Sequence, residues 1–234
     1  MNNIYLCVVF IAIILVGCKE DAGKKTIVEN IPTNTDTFYL CDRLIKIDSI
    51  DKGEFEKLAE MKIDTSEANC IAIDSLVVKR IVDTLNFLLE NGNYAMLINN
   101  NSDNDSSSKY FFQGLNKELN QYVVYGAFYE WWYHVLIDKR TGDTTVTCGP
   151  PVVSPDKKFF VCTNSDIEAQ YTFNGIELFE NTSPPKLVCS RELNFFGLNK
   201  IKWSDNNTLY AEVDVFDSTQ MFQTKKVYYI LSMN

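Results

Sequence analysis

The sequence predicts an α+β protein in which an N-terminal helical segment packs on a mainly antiparallel β-sheet. Two observations lead to this class. Between Ser75 and Asn91, apolar residues recur every three to four positions, as they do on one face of a helix. After Tyr122, short runs rich in aromatic and β-branched residues alternate with turn-forming residues, which is typical of antiparallel strands.

The elements before Tyr122 are predicted from local patterns. Alternation within Phe38–Ile47 indicates a first strand, and Gly53–Met61 can form a short helix with Phe55 on its apolar side. The main helix is predicted over Ser75–Asn91, with an apolar stripe of Val77, Ile81, Leu85 and Leu88, widened by Val78, Val82 and Leu89. Asp74 can cap its start and Gly92 can end it. A strand over Tyr94–Ile98 is predicted next.

The β-rich part from about residue 120 contains the predicted strands Tyr122–Tyr129, Tyr133–Asp138, Thr144–Thr147, Val152–Ser154, Phe159–Thr163, Gln170–Phe173, Ile176–Phe179, Ile201–Trp203, Thr208–Val215 and Lys226–Leu231. The segment Lys139–Gly142 has the composition of a hairpin turn, since glycine adopts positive φ at low cost. Asn174-Gly175 is the usual sequence of a type I′ turn.

One strand–turn–strand unit occurs twice. Val152–Val161 aligns with Ile201–Tyr210, and both carry a Ser-(Pro)-Asp turn between two strand-like runs. These segments resemble the first hairpin of blades in TolB-like and WD40-like β-propellers, and Ile137–Asp143 resembles the later turn of such a blade. A closed propeller needs about four or more blades, and about two fit here. The resemblance therefore implies a sheet with blade-like hairpins and not a closed propeller.

The N-terminus has the residue pattern of an export signal. An apolar run from Ile4 to Val16 ends in Leu15-Val16-Gly17-Cys18, which resembles the signal of a bacterial lipoprotein. The run is short for a transmembrane helix, although an uncleaved N-terminal anchor is the alternative. The resemblance implies a signal peptide at 1–17, lipid on Cys18, a flexible tether at 18–37 and a single domain at 38–234.

Two features indicate the lineage and the location. Cys18-Lys19-Glu20-Asp21 resembles the export signal of Bacteroidetes-type surface lipoproteins, and an ordinary charged tether is the alternative. Several triplets resemble the O-glycosylation acceptor of that group but are also common as caps and turns: Asp48-Ser49-Ile50, Asp74-Ser75-Leu76, Asp83-Thr84-Leu85, Asp143-Thr144-Thr145 and Asp217-Ser218-Thr219. We expect a lipid-anchored protein at the outer membrane or cell surface, or one that faces the periplasm.

Charge and cysteine content restrict the partners. The chain has 22 basic and 31 acidic residues and a net charge of −9, which disfavours nucleic acid as a partner. Besides Cys7 in the signal and Cys18, five cysteines remain, so at least one is free or pairs between chains. Cys148–Cys162 and Cys41–Cys70 are the predicted pairs to test, because spacing alone does not determine the connectivity. The sequence has one histidine and no C-x-x-C, so we expect no metal and no cofactor.

The densest aromatic cluster is the best candidate for a site. On a strand, Trp131 and Tyr133 would face one way, and Trp132 and His134 the other. One face can be core and the other a binding surface, while core packing on both faces is the alternative. No nucleophile–base motif is present, which favours a non-enzymatic binding or inhibitor-type module for an envelope protein or glycan. The alternative is an envelope or glycan hydrolase that uses a carboxylate pair.

Overall fold

The fold is taken from a computed structural model, which describes residues 37–59, 64–217 and 223–233. Of these residues, 56% lie in strands and 7% in two short helices. The protein is therefore mainly β, and the predicted α+β class with an N-terminal helical segment packed on a sheet is wrong. The predicted signal peptide, Cys18 and the predicted tether as far as residue 36 lie outside the described residues. Neither helix in the described ranges is long and apolar enough to cross a membrane.

The described chain begins with a hairpin and two short helices: β1 (Thr37–Leu40), β2 (Arg43–Ile50), α1 (Lys52–Lys57) and α2 (Glu67–Ile73). Helix α1 confirms the short helix predicted over Gly53–Met61. The Asp51 carboxylate caps it by accepting a hydrogen bond from Glu54 N at 2.9 Å, and Phe55 on α1 is buried. The first strand predicted within Phe38–Ile47 is a hairpin of two strands.

Three antiparallel sheets follow, each with its strands in chain order. Sheet 1 contains β3 (Val78–Ile81), β4 (Thr84–Leu88) and β5 (Tyr94–Ile98). Sheet 2 contains β6 (Ser108–Asn116), β7 (Gln121–Phe128), β8 (Trp132–Asp138) and β9 (Thr144–Thr147). Sheet 3 contains β10 (Val152–Val153), β11 (Phe159–Asn164), β12 (Gly175–Glu180) and β13 (Lys186–Glu192).

Sheet 4 joins both ends of the described chain. Its first strands are β14 (Phe196–Asp205), β15 (Thr208–Phe216) and β16 (Thr224–Met233). Strand β2 then pairs antiparallel with β16, and β1 pairs with β2 at the sheet edge.

Apolar side chains pack the sheets together in chain order. Sheets 1 and 2 enclose Phe87 and Tyr122, whose ring centroids are 5.1 Å apart. Sheets 2 and 3 enclose Leu136, Phe160 and Phe179, the last two with stacked rings. A third cluster joins β11 and β12 of sheet 3 to β15 and β16 of sheet 4. Each sheet is thus positioned by burial of its apolar face against the next.

The helix predicted over Ser75–Asn91 is wrong, because this segment forms a turn and strands β3 and β4. Leu85 and Phe87 are fully buried and alternate with half-exposed neighbours, which is the period of a strand. Val82, assigned to the helical stripe, lies exposed in the β3–β4 turn with a φ of 53°. The run is so rich in apolar residues that it fits both periods, and its β-branched residues favour the strand.

Most of the strands predicted after Tyr122 are confirmed, since β7 to β12 and β14 to β16 each overlap a predicted segment. The turn at Lys139–Gly142 is also confirmed, with Gly142 at a φ of 83°. Strand β13 was not predicted, and two of the predictions are wrong. Gln170–Phe173 forms no strand, and Asn174-Gly175 is not a hairpin turn. Gly175 instead starts β12, where a Cβ would lie 2.2 Å from the Arg191 carbonyl oxygen, so close backbone approach requires the glycine.

The repeated unit forms the first hairpin of sheet 3 and the first hairpin of sheet 4. The two hairpins also contact each other. Trp203 Nε1 on β14 donates to the Val152 carbonyl oxygen at 2.9 Å, and Asp156 N donates to Asn206 Oδ1 at 3.0 Å.

One disulfide ties the N-terminal hairpin to sheet 3. Cys41, in the β1–β2 turn, is bonded to Cys189 on β13, 148 residues later. The predicted pairs Cys148–Cys162 and Cys41–Cys70 are wrong, since Cys70, Cys148 and Cys162 carry buried free thiols. The pairing depends on which sheets pack together, and short sequence spacing does not reveal this.

Candidate functional site

The aromatic cluster lies where β7 turns into β8 in sheet 2. Phe128 N donates to the Trp131 carbonyl oxygen at 2.9 Å and closes this turn. Trp131 is 45% exposed and Tyr129 is 63% exposed, while Trp132 and Tyr133 are half-buried. Part of the cluster therefore remains exposed to solvent and is not buried in the core.

The ring contacts follow the alternation expected of a strand. Trp131 stacks on Phe128 with centroids 4.0 Å apart and an interplanar angle of 10°, and Tyr133 lies 5.2 Å from Trp131. Trp132 instead lies 6.1 Å from His134, edge to face. The stack of Phe128 and Tyr133 on Trp131 holds the exposed indole in place.

All three predicted binding residues line one open cleft, which has a volume of about 290 Å³. The cleft lies at one end of the junction between sheets 2 and 3. Its aromatic residues are Trp131, Trp132 and Tyr133 from sheet 2, and Tyr171 and Phe173 from the segment before β12. Its remaining lining residues are Val146, Thr147, Cys148, Asn164, Thr172 and Glu177. The site thus combines aromatic walls with a few polar groups, as ligand pockets commonly do.

Hydrogen bonds to one carboxylate shape the segment that carries Tyr171 and Phe173. Both oxygens of Asp166 accept backbone hydrogen bonds, from Gln170 N at 3.1 Å and from Tyr171 N at 2.8 Å, and Thr172 N donates at 2.7 Å. Burial alone would raise the pKa of Asp166, but these donors together lower it. Because the backbone donors point at Asp166, the segment forms a tight loop instead of the predicted strand.

Glu177 is the carboxylate of the cleft. It lies on β12 and is half-buried, and its Oε2 accepts a hydrogen bond from Cys148 N at 2.8 Å. Burial raises the pKa of Glu177, and the hydrogen bonds from Cys148 offset part of that effect. Among the described residues, no Lys, Arg or His lines the cleft, and no ion pair involves Glu177.

The thiols near the cleft are poor nucleophiles. Cys148 lines the cleft, and Cys162 is fully buried on the neighbouring strand β11. Burial raises the pKa of both thiols well above the ordinary value, with the Glu177 charge adding to the effect. The thiol form therefore dominates at neutral pH, and reactivity requires the thiolate.

His134 is a buried histidine beside the cluster. Its Nε2 lies 3.0 Å from Gln113 Oε1, and its Nδ1 is buried with no hydrogen-bond partner among the described residues. Burial lowers the pKa of His134 to about 4, so the ring is neutral at pH 7. Its edge-to-face contacts with Trp132 and Tyr125 fit a role in packing.

A carboxylate-pair mechanism finds no support in the cleft. Glycoside hydrolysis usually needs two carboxyl groups flanking one bond. Among the described lining residues, Glu177 is the single carboxylate. Asp166 and Glu192 line a different, polar depression of about 190 Å³, where Asp166 is occupied by its own loop. No group of three potential metal ligands occurs in the described parts of the chain.

Sequence reasoning identified three of the eleven residues that line the cleft as binding residues. Trp131, Trp132 and Tyr133 stand out because they are consecutive, whereas Tyr171 and Phe173 come from the loop before β12 and Glu177 comes from β12 itself. The one available signal is the alternation of Tyr171 and Phe173, which suggested a strand. No known protein-family model matches this chain, and no curated protein matches its sequence.

Proposed function

We propose that this protein is a lipid-anchored module of the cell envelope that binds a protein or glycan partner through its aromatic cleft. The observation that carries the proposal is the exposed Trp131 stack at the mouth of a cleft with four further aromatic residues. Exposed Trp and Tyr side chains held rigidly contribute most to binding energy at interfaces. The anchor is lipid on Cys18.

The disulfide supports an exported location. Cys41 and Cys189 are bonded across two sheets, and such bonds persist mainly in oxidising compartments. The lipoprotein-type signal and the run Cys18-Lys19-Glu20-Asp21 are consistent with the outer membrane or the cell surface. The net charge of −9 favours partners that are neutral or positively charged over nucleic acid.

The anchor is tested in cells by labelling with an alkyne fatty acid. The wild-type protein should take up the label, and the Cys18→Ser variant should not. Equal labelling of both proteins would remove the lipoprotein assignment.

The cleft is tested by retention of envelope components on the detergent-solubilised full-length protein. Trp131→Ala should abolish the retention of a component that the wild-type protein captures. Tyr39→Ala is the matched control, because Tyr39 is an exposed aromatic on β1 (60% exposed) outside the cleft lining. If Trp131→Ala retains the same components as the wild type, the cleft is not the binding surface.

A further inference from the structure

The cleft places one carboxylate among aromatic rings without a cationic neighbour in the described structure. The described hydrogen bonds to Glu177 come from Cys148 alone, and the backbone one runs from Cys148 N to Oε2 at 2.8 Å. Its side chain is half-buried, and the lining around it is aromatic, aliphatic or neutral. A carboxylate withdrawn from water in this way is costly unless an opposite charge compensates it. The protein supplies no such charge at the cleft within the described ranges.

The aromatic walls favour the same kind of ligand. The face of a Trp or Tyr ring carries negative electrostatic potential and attracts a cation within about 6 Å. Trp131, Trp132, Tyr133 and Tyr171 line the cleft together with Glu177. Carboxylate and rings therefore both favour positive charge, and they are contributed by different sheets.

We propose that the aromatic cleft binds an alkylammonium group, which lies beside the Glu177 carboxylate and against the aromatic walls. This deepens the proposed function and rests on it. The volume of about 290 Å³ accommodates a small organic cation or the end of a lysine-like chain, but not several sugar rings. The net charge of −9 raises the local concentration of cations around the protein. A negatively charged ligand would face Glu177 without compensation.

The test uses choline as a quaternary probe and n-butylammonium as a primary, lysine-like probe. Binding is followed by tryptophan fluorescence of the full-length protein in detergent at constant ionic strength. Trp131 and Trp132 line the cleft, whereas Trp203 lies in sheet 4, so a Trp203→Phe variant removes the fluorescence that does not report on the site. We expect a saturable response with Kd near 1 mM for at least one cation, which is typical of a single small-group contact.

Two comparisons isolate the charge. The neutral alcohols 3,3-dimethylbutan-1-ol and n-butanol have nearly the same shapes as the two cations, and we expect them to bind at least tenfold more weakly. Glu177→Gln keeps an oxygen acceptor for Cys148 N and should weaken cation binding at least tenfold. Glu180→Gln is the matched control, since Glu180 is exposed on the same strand and absent from the cleft lining. Should Glu177→Gln not fold, the cation–alcohol comparison on the wild-type protein decides alone.

Several results would overturn the proposal: no saturable response to either cation, equal binding of cation and alcohol, or unchanged affinity in a folded Glu177→Gln variant. Binding of glucose that does not depend on Glu177 would identify a neutral sugar site and also overturn it. The proposed function is tested separately. If Trp131→Ala loses its envelope partner while neither cation binds, the cleft remains the binding surface and only the ammonium assignment fails.

Discussion

Asp138 offers the sharpest test of how this fold is held together. It ends strand β8, its residue surface is fully buried, and its carboxylate gathers donors from three parts of the chain. Gln121 Nε2 on β7 donates at 2.9 Å, and Ser183 Oγ from the β12–β13 connection donates at 2.7 Å. Arg140 donates from its backbone N at 2.8 Å and from its guanidinium at 2.9 Å and 3.0 Å. One side chain thus joins sheets 2 and 3 and orders the β8–β9 turn.

The size of its contribution follows from its pKa. Burial alone would raise the pKa of Asp138, but the donors from Arg140, Ser183 and Gln121 outweigh it and lower the pKa from 3.8 to about 2. Because one pH unit corresponds to about 1.36 kcal/mol, the ionised carboxylate stabilises the fold by about 2.5 kcal/mol at neutral pH. The folded-state pKa lies below the unfolded one. This stability is therefore present above about pH 4 and is lost as the pH falls toward 2.

We expect Asp138→Asn to lower the free energy of unfolding by about 2–4 kcal/mol at pH 7, because the amide removes the charge and one acceptor. At pH 3 the difference from the wild type should shrink by about 1 kcal/mol, because the Asp138 carboxylate is then mostly protonated in the unfolded state but still mostly ionised in the folded state. Urea denaturation at both pH values measures this. Asp143→Asn is the control, because Asp143 is exposed in the same turn. The reasoning fails if both variants cost the same or if the cost of Asp138→Asn does not change with pH.

Three further predictions concern the disulfide, the cluster and the cleft. Replacing Cys41 and Cys189 together by Ser should cost about 2–5 kcal/mol in urea denaturation, because the bond closes a long loop; an unchanged midpoint would contradict the pairing. Trp131→Ala should change the melting temperature little, whereas Phe87→Ala in the core between sheets 1 and 2 should cost about 3–5 kcal/mol; similar losses would show that Trp131 is core. Choline affinity should rise with pH as Glu177 ionises through its raised pKa, and this dependence should vanish in Glu177→Gln, as titrations from pH 4 to 8 would show.

The sequence predicts most strands in the second half of this fold, although not β13, because turn-forming residues mark the ends of those strands. Gly142 ends the β8–β9 turn at positive φ, and the Ser-(Pro)-Asp segments mark the turn between the two strands of the first hairpin in sheet 3 and in sheet 4. The prediction for Ser75–Asn91 is wrong because nearly every second and every fourth residue in this segment is apolar, so that its pattern fits both a strand and a helix. Its period is decided by burial against sheet 2, where Phe87 contacts Tyr122, and this contact is not encoded locally.

The candidate site likewise has one part that the sequence predicts and another that it does not. Consecutive aromatic residues at 131–133 are visible in any reading of the chain, but their partners come from a loop that Asp166 closes and from a strand in another sheet. Residues as far apart as Trp132 and Glu177 meet only because sheets 2 and 3 pack face to face. Before the packing of sheets 2 and 3 is known, the sequence therefore reveals only the lining residues that sheet 2 contributes.

The residues of the aromatic cluster differ in their burial, so the cluster as a whole is neither core nor surface. Tyr133 and Phe128 support Trp131 from beneath, so that about half of the indole is buried by its own neighbours and half faces solvent. A ring fixed in this way loses little conformational entropy when a partner covers it, which is why rigid aromatic anchors are efficient in recognition. Sheet 2 already buries one of its faces against sheet 1, so its core is complete without the Trp131 ring, which can therefore stay exposed. The proposed binding surface and the packing beneath it thus use different parts of the Trp131 ring. We therefore expect replacement of Trp131 to leave the fold intact and replacement of the core residue Phe87 to destabilise it.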